Sequence, residues 1–142
     1  MELITDHLSR CIQTLEASLI MLQKTAPETP EYEIFRNAVV KGYELALETA
    51  GKLMRKALKL YGSSSRAVDE LVFKDVLRMG AKHGLLQDES AVERWFSYRD
   101  NRNNTAHDYG IGFAHDTLAL MPGFIADVRA LEIILKERFT HA

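Results

Sequence analysis

Helical periodicity runs through almost the whole chain, and this pattern constrains the fold more than any other feature of the sequence. The chain opens with a stripe of apolar residues spaced alternately by four and three positions: Leu8, Ile12, Leu15, Leu19 and Leu22. A heptad-like stripe of this kind predicts an amphipathic helix, here over about residues 5–24. Three prolines and eight glycines are few breaks for 142 residues, and no stretch of useful length alternates as a strand does.

Four further helices are predicted between the breaks. They cover about residues 31–61, 66–83, 88–106 and 116–139, with residues 110–114 as a loop. Pro30 suits the first turn of the second helix, and Asp88 or Ser90 can cap the fourth. We therefore expect an all-α fold, an antiparallel up-and-down bundle of four or five helices. Because no linker divides the chain, residues 1–142 are expected to form a single domain.

The charge balance narrows the possible partners. Eighteen Lys and Arg against twenty Asp and Glu give a formal net charge of −2, so nucleic-acid binding requires a local basic patch. The single cysteine, Cys11, excludes an internal disulfide and a cysteine-rich zinc module. No apolar run approaches the roughly 20 residues of a membrane span, and the first residues lack a signal-peptide pattern. A soluble cytoplasmic protein without a membrane partner is expected.

The fourth predicted helix does not follow the pattern of an ordinary core helix. Its apolar face begins with Val92, Trp95 and Phe96 and continues with Arg99, Arg102 and Asn103. Burying guanidinium groups is costly unless they are paired. Three explanations stay open: the arginines pair with acids such as Glu93, Asp100 or Asp108, the helix rotates and exposes them, or this end of the helix lines a cleft where an anion binds.

His107 favours the anion-binding explanation. It follows Arg102 by five residues, and Asp108 and Tyr109 come directly after it. Arginine donates two hydrogen bonds to phosphate oxygens, and histidine, with an unperturbed pKa of about 6.5, transfers protons near neutral pH. On RNA the 2′-hydroxyl is a built-in nucleophile, so this pair needs no metal ion or cofactor. The alternative is that His107 caps a helix C-terminus and interacts with the helix dipole.

The segment 102–109, with the sequence RNNTAHDY, resembles the Arg-x4-His-x-Tyr motif of HEPN domains. Upstream, residues 76–78 and 84–86 together with Trp95 and Arg99 follow the pattern of one subgroup. This subgroup is the nucleotidyltransferase substrate-binding family, which includes the HepT-like toxins. The specific part of the resemblance covers about residues 76–109, and the length and helix count fit over nearly the whole chain.

The resemblance implies a homodimeric helical bundle that acts as a metal-independent endoribonuclease and as the toxin of a toxin–antitoxin pair. By position in the motif, Arg102 holds the scissile phosphate and His107 is the general acid or base. Asn103 orients one of them or the RNA, and Arg99 supports the same site. Tyr109 is the residue to which a small MntA-like nucleotidyltransferase, the antitoxin, adds AMP. After Tyr109 the family often carries acidic residues, whereas this chain has Gly-Ile-Gly.

Two other functions remain open at this point. Some members of the family are described only as companions of nucleotidyltransferases, so the chain can be a non-catalytic accessory subunit that presents a substrate. A purely structural helical dimer, with Arg99 and Arg102 in interface salt bridges, is the third interpretation.

A basic stripe on the second predicted helix is the candidate surface for binding RNA. It consists of Lys52, Arg55, Lys56 and Lys59, at positions i, i+3, i+4 and i+7. Phosphates of RNA can track along such a stripe, and the alternative is a solvated face that keeps the protein soluble. The pairs His107-Asp108 and His115-Asp116 match no metal-ligand spacing, so no metal site is expected.

Overall fold

A computed structural model of the chain describes residues 3–104 and 111–139, without the side chains of Asn104 and residues 111–113. Six helices occupy these ranges: α1 (Asp6–Gln23), α2 (Pro30–Leu60), α3 (Ser65–Glu70), α4 (Phe73–Lys82), α5 (Glu89–Asn104) and α6 (Ile111–Phe139). The described ranges contain no strand. The prediction of an all-α bundle is confirmed.

The long helix α2 lies at the centre of the bundle and contacts each of the other five helices. The apolar stripe of α1 packs against it, with Leu8, Ile12 and Leu15 fully buried. Gly42 of α2 lets α1 come close, because a Cβ at this position would lie 3.3 Å from Cδ1 of Leu15. Across the described ranges, no helix combines the length and the apolar character that a membrane crossing requires.

Local signals in the sequence set several helix ends, and those at Pro30 and Asp88 are as predicted. Pro30 occupies the first turn of α2, and the Thr29 hydroxyl caps this turn by accepting from the backbone N–H of Tyr32 at 3.2 Å. Gly62 follows α2 with a φ of 99°, a left-handed conformation that glycine adopts without strain. Asp88 caps α5, since its Oδ1 accepts from the backbone N–H of Ala91 at 2.8 Å.

The helix predicted over residues 66–83 is wrong as a single element, because the chain forms α3 and α4 there. Leu71 and Val72 are extended, with ψ of 136° and 157°. The Arg55 guanidinium donates to the carbonyl oxygens of Val68 at 2.7 Å and Leu71 at 2.8 Å, and so satisfies the end of α3. Phe73 packs so tightly on α2 that a Cβ on Gly51 would lie 2.6 Å from its ring.

The last helix begins earlier than predicted. Residues 111–114 are helical rather than part of a loop, and Asp116 lies inside α6 rather than at its N-cap. Burial at helical spacing explains this start, because Ala114, Thr117 and Met121 all face the core. This apolar face outweighs the loop signal of the glycine at position 112. Pro122 also lies inside α6.

Candidate functional site

Helix α5 is rotated by about one position from the predicted orientation. Its buried residues are Ala91, Trp95 and Tyr98, rather than the face through Val92 and Phe96. The arginines therefore lie on the flank of the helix, which agrees with the explanation that the helix rotates and exposes them. The side chains of Arg99 and Arg102 are 33% and 42% exposed, so neither guanidinium is buried in the core.

An open cleft of about 320 Å³ borders this flank of α5. Its lining comes from α2, α4 and α5 and consists of Glu44, Leu47, Glu48, Phe73, Arg99, Arg102 and Asn103. The cleft thus combines two guanidinium groups and an amide with two carboxylates on an apolar floor. Three residues predicted for the site, two arginines and an asparagine, are brought together here.

Salt bridges balance the charge of the cleft. Nε of Arg102 lies 3.5 Å from Oε2 of Glu44, a carboxylate whose side chain is only 12% exposed. Nη1 of Arg99 lies 3.8 Å from Asp100, and Glu48 pairs with Lys52 at 3.2 Å. A phosphate that enters the cleft can replace Glu44 as the partner of Arg102, because a guanidinium binds both anions in the same geometry.

A buried polar network lies beneath the cleft. The hydroxyl of Tyr43 donates to the carbonyl oxygen of Tyr98, and Nδ2 of Asn101 donates to Oγ1 of Thr117 at 2.9 Å. Burial raises the pKa of Tyr43 to about 12, while the Asn101 side chain and the Arg102 charge act in the opposite direction. Tyr43 therefore stays protonated and keeps donating at neutral pH.

A second arginine pair lies two turns earlier on α5. Nε and Nη2 of Arg94 both donate to the carboxylate of Asp127 at 2.9 Å. The hydroxyl of Tyr98 donates to the same carboxylate. Burial, followed by the hydrogen bond to Asp127, raises the pKa of Tyr98, and the carboxylate raises the pKa of Arg94 as well. This pair joins α5 to α6.

The remaining predicted motif residues, His107 and Tyr109, lie outside the described residues, as does Asp108. In the sequence they fall between α5, which ends at Asn104, and α6, which begins at Ile111. Within residues 3–104 and 111–139, no group of three His, Cys, Asp or Glu side chains is arranged to hold a metal ion.

The predicted basic stripe on α2 divides into two parts. Arg55 is engaged with the carbonyl oxygens of α3, and Lys59 pairs with Asp69 at 2.7 Å. Lys52 and Lys56 instead line a second cleft of about 260 Å³, together with Ile4, His7, Leu45, Glu48, Thr49 and Leu53. Since Glu48 lines both clefts, the two lysines continue the surface that begins at Arg102.

Sequence reasoning missed the partners of the arginines and the network below them. Glu48 pairs along α2 with Lys52, whereas Glu44 faces Arg102 on α5. The sequence does hold one signal: Glu44 lies four residues after Val40 and three before Leu47, at the spacing of the buried face of α2. Tyr98 and Asn101 follow Trp95 at helical spacing, which is the signal for the true inward face of α5.

Matches to known proteins include a family, a curated relative and a solved structure. Residues 10–137 match the family described as nucleotidyltransferase substrate binding protein like. The probable ribonuclease HepT of Haemophilus influenzae is 26% identical over 147 residues, covering 96% of this chain and 97% of that protein. The solved structure of HI0074 from Haemophilus influenzae, described as revealing the fold of a substrate binding domain of a nucleotidyltransferase, matches with a TM-score of 0.81. That match has 22% identity and covers 94% of this chain and 99% of the other.

Proposed function

The chain belongs to the nucleotidyltransferase substrate-binding family, and from this membership we propose that it is a HepT-like toxin with endoribonuclease activity that needs no metal ion. The observation that carries the proposal is the cleft in which Arg99, Arg102 and Asn103 lie together on an accessible flank of α5. The likeness to the probable ribonuclease HepT over 96% of the chain supports the same activity.

The proposed chemistry assigns one role to each motif residue. Arg102 binds the non-bridging oxygens of the scissile phosphate and stabilises the charge that develops on them. The 2′-oxygen of the RNA forms a bond to phosphorus while the bond from phosphorus to the 5′-oxygen breaks. His107 accepts the proton of the 2′-hydroxyl or donates one to the leaving 5′-oxygen, and water completes the other transfer. Arg99 and Asn103 hold the adjoining RNA backbone.

The path of the RNA beyond the cleft follows from the shared lining of the two clefts. Lys52 and Lys56 are the members of the basic stripe that face the second cleft, so they contact phosphates next to the scissile one. Arg55 and Lys59, whose side chains hold α3, contribute positive charge without direct contact. Each phosphate contact releases counterions, so RNA binding weakens as salt rises.

Control of the activity is proposed to occur at Tyr109. A partner nucleotidyltransferase of the MntA type, the antitoxin, transfers AMP from ATP to this residue. The phenol oxygen forms a bond to the α-phosphorus, pyrophosphate leaves, and the phenol proton passes to solvent. The added phosphate carries negative charge close to Arg102 in sequence and so opposes the binding of RNA. A homodimer is part of the proposal, because a second copy supplies further charges to a sparse site.

The test is cleavage of RNA by the purified protein in EDTA, with the wild type compared with His107→Ala. The wild type is expected to cleave, and the variant is expected to lose activity by about 10²–10⁴-fold. Equal cleavage by both proteins would refute the role of His107. Absence of cleavage by a wild type whose intact mass shows no added AMP would refute the nuclease proposal.

A second function, a non-catalytic subunit that presents a substrate to a nucleotidyltransferase, is favoured by the charge balance of the cleft. Arg102 already has Glu44 as a partner, so the cleft suits reversible binding of a nucleotide phosphate. Co-purification with a nucleotidyltransferase, without toxicity when the chain is expressed alone, would support this function instead.

A further inference from the structure

The last described turn of α5 is tied to two other helices by side chains. Asn101 donates from Nδ2 to Oγ1 of Thr117 on α6 at 2.9 Å, and the same nitrogen lies 3.5 Å from the hydroxyl of Tyr43 on α2. Tyr43 in turn donates to the carbonyl oxygen of Tyr98. Tyr43 and Thr117 are fully buried, so leaving either hydroxyl without a hydrogen-bond partner is costly.

The network adjoins the cleft on two helices, α5 and α2. On each helix, a residue of the network directly precedes a residue that lines the cleft. Asn101 directly precedes Arg102, and Tyr43 directly precedes Glu44, the partner of Arg102. Successive residues of a helix point about 100° apart. The direction in which Asn101 points toward α6 therefore determines the direction in which Arg102 points into the cleft.

An apolar contact at this level would hold α5 less specifically. The neighbouring aromatic rings of Tyr43, Tyr98 and Phe124 pack edge to face, and such packing tolerates small rotations of the helix about its axis. A hydrogen bond from the Asn101 amide tolerates less rotation, because a shift of about 1 Å breaks its bond to the buried hydroxyl of Thr117. The bond between Asn101 and Thr117 thus restricts rotation of this turn more closely than the ring packing does.

We propose that Tyr43, Asn101 and Thr117 are positioning residues that hold the guanidinium of Arg102 in the geometry required to bind the scissile phosphate. This inference rests on the proposed nuclease function. The three side chains do not touch the reacting atoms. They act through the backbone of the last turn of α5, and they also join α5 to α6, the helices before and after residues 105–110 in the sequence.

Two substitutions of Thr117 distinguish an effect on the position of Arg102 from an effect on the stability of the fold. Thr117→Val keeps the shape of the side chain and removes the hydroxyl, whereas Thr117→Ser keeps the hydroxyl and removes a buried methyl group. Both variants are expected to be less stable. In RNA cleavage, Thr117→Val is expected to lose about 10-fold or more in kcat with KM changed less than about 2-fold, because misplacement of a binding group slows the chemical step. Thr117→Ser is expected to keep most of the wild-type kcat.

Amide hydrogen exchange over residues 98–104 provides a second readout that does not need cleavage. Exchange of the Arg102 amide is expected to be at least about 10-fold faster in Thr117→Val than in Thr117→Ser. Ser9→Ala is the control, because it removes a hydrogen bond between α1 and Glu132 of α6 that lies outside the cleft.

The outcomes distinguish the two proposals. Equal kcat values for the two Thr117 variants, or a wild-type kcat in Thr117→Val, would overturn the positioning role. If the wild type does not cleave RNA at all, the nuclease proposal fails. The exchange rate of the Arg102 amide then tests the positioning role without cleavage. Equal rates in the two variants would overturn this role, and a faster rate in Thr117→Val alone would support it.

Discussion

Two arginines on α5 are each paired with a carboxylate from another helix, and the two pairs differ in geometry rather than in exposure. Asp127, the partner of Arg94, and Glu44, the partner of Arg102, have side chains that are both 12% exposed. Arg94 makes two hydrogen bonds of 2.9 Å to Asp127, and Tyr98 donates to the same group. Arg102 approaches Glu44 with Nε at 3.5 Å and borders an open cleft.

The difference supports the proposal that Arg94 is a structural arginine and Arg102 a ligand-binding one. The bidentate pair of Arg94 uses the planar fork of the guanidinium, so an incoming anion would have to break two well-aligned bonds. The longer contact of Arg102 is easier to exchange for a phosphate. Exposure alone would not have distinguished them, since the two arginine side chains are 45% and 42% exposed.

The largest effect is expected from removing the arginine of the cleft. Arg102→Ala should lower kcat for RNA cleavage by about 10²–10³-fold, because it removes the group that stabilises charge on the phosphate. The free energy of unfolding should change by less than about 1 kcal/mol, since the Arg102 side chain is 42% exposed at an open cleft. Cleavage rates and denaturant unfolding of the same preparation check both values, and a variant that cleaves RNA as the wild type does would remove Arg102 from the site.

Alkaline unfolding should distinguish the tyrosines of the two regions. A phenol whose pKa is raised on folding stabilises the native state fully below its unfolded pKa of about 10, and this contribution is lost as the pH rises through the folded pKa. The folded pKa of Tyr43 is about 12. Its deprotonation should therefore lower the free energy of unfolding by about 2–3 kcal/mol, and this loss should be complete only above pH 12.

Denaturant unfolding at increasing pH, with Tyr43→Phe as the control, measures this loss. Phenolate absorbance of the folded protein should show Tyr43 titrating before Tyr98, because Asp127 adds to the effect of burial on Tyr98 whereas Asn101 and Arg102 oppose it on Tyr43. An identical alkaline loss of stability in Tyr43→Phe would contradict this assignment.

A smaller effect on stability is expected from the carboxylate of the other pair. Asp127→Ala leaves the buried hydroxyl of Tyr98 without its acceptor, which should cost about 1–3 kcal/mol. Glu44→Ala is the matched variant on the cleft side, and it should lower the free energy of unfolding by less than about 1 kcal/mol. Urea unfolding of both variants makes the comparison, and a larger loss for Glu44→Ala would reverse the roles assigned to the two pairs.

Most of the fold could be predicted because its helices depend on local spacing. Four of the five residues in the stripe of α1 are buried, namely Leu8, Ile12, Leu15 and Leu22, and Leu19 is partly buried. The break at Leu71 could not be predicted in this way. It depends on Arg55 and on the packing of Phe73 against Gly51, contacts between residues far apart in the sequence, and no glycine or proline marks it.

Only the part of the site that lies on α5 could be predicted, from its residue types and their spacing. The polar flank with Arg99, Arg102 and Asn103 was identified, but the inward face of α5 was placed one position off, because Trp95 and Phe96 together fit two faces. Tertiary packing chooses between these faces. The partners Glu44 and Thr117 come from other helices, and the spacing within α5 holds no information about them.

A crystal structure with a short RNA that is methylated at the 2′-oxygen of the cleavage site would show where the substrate binds, because methylation prevents cleavage without changing the phosphate. We expect a phosphate within hydrogen-bond distance of the Arg102 guanidinium, in the cleft lined by Glu44 and Arg99. RNA bound on another face of the protein, with Arg102 still paired to Glu44, would contradict it.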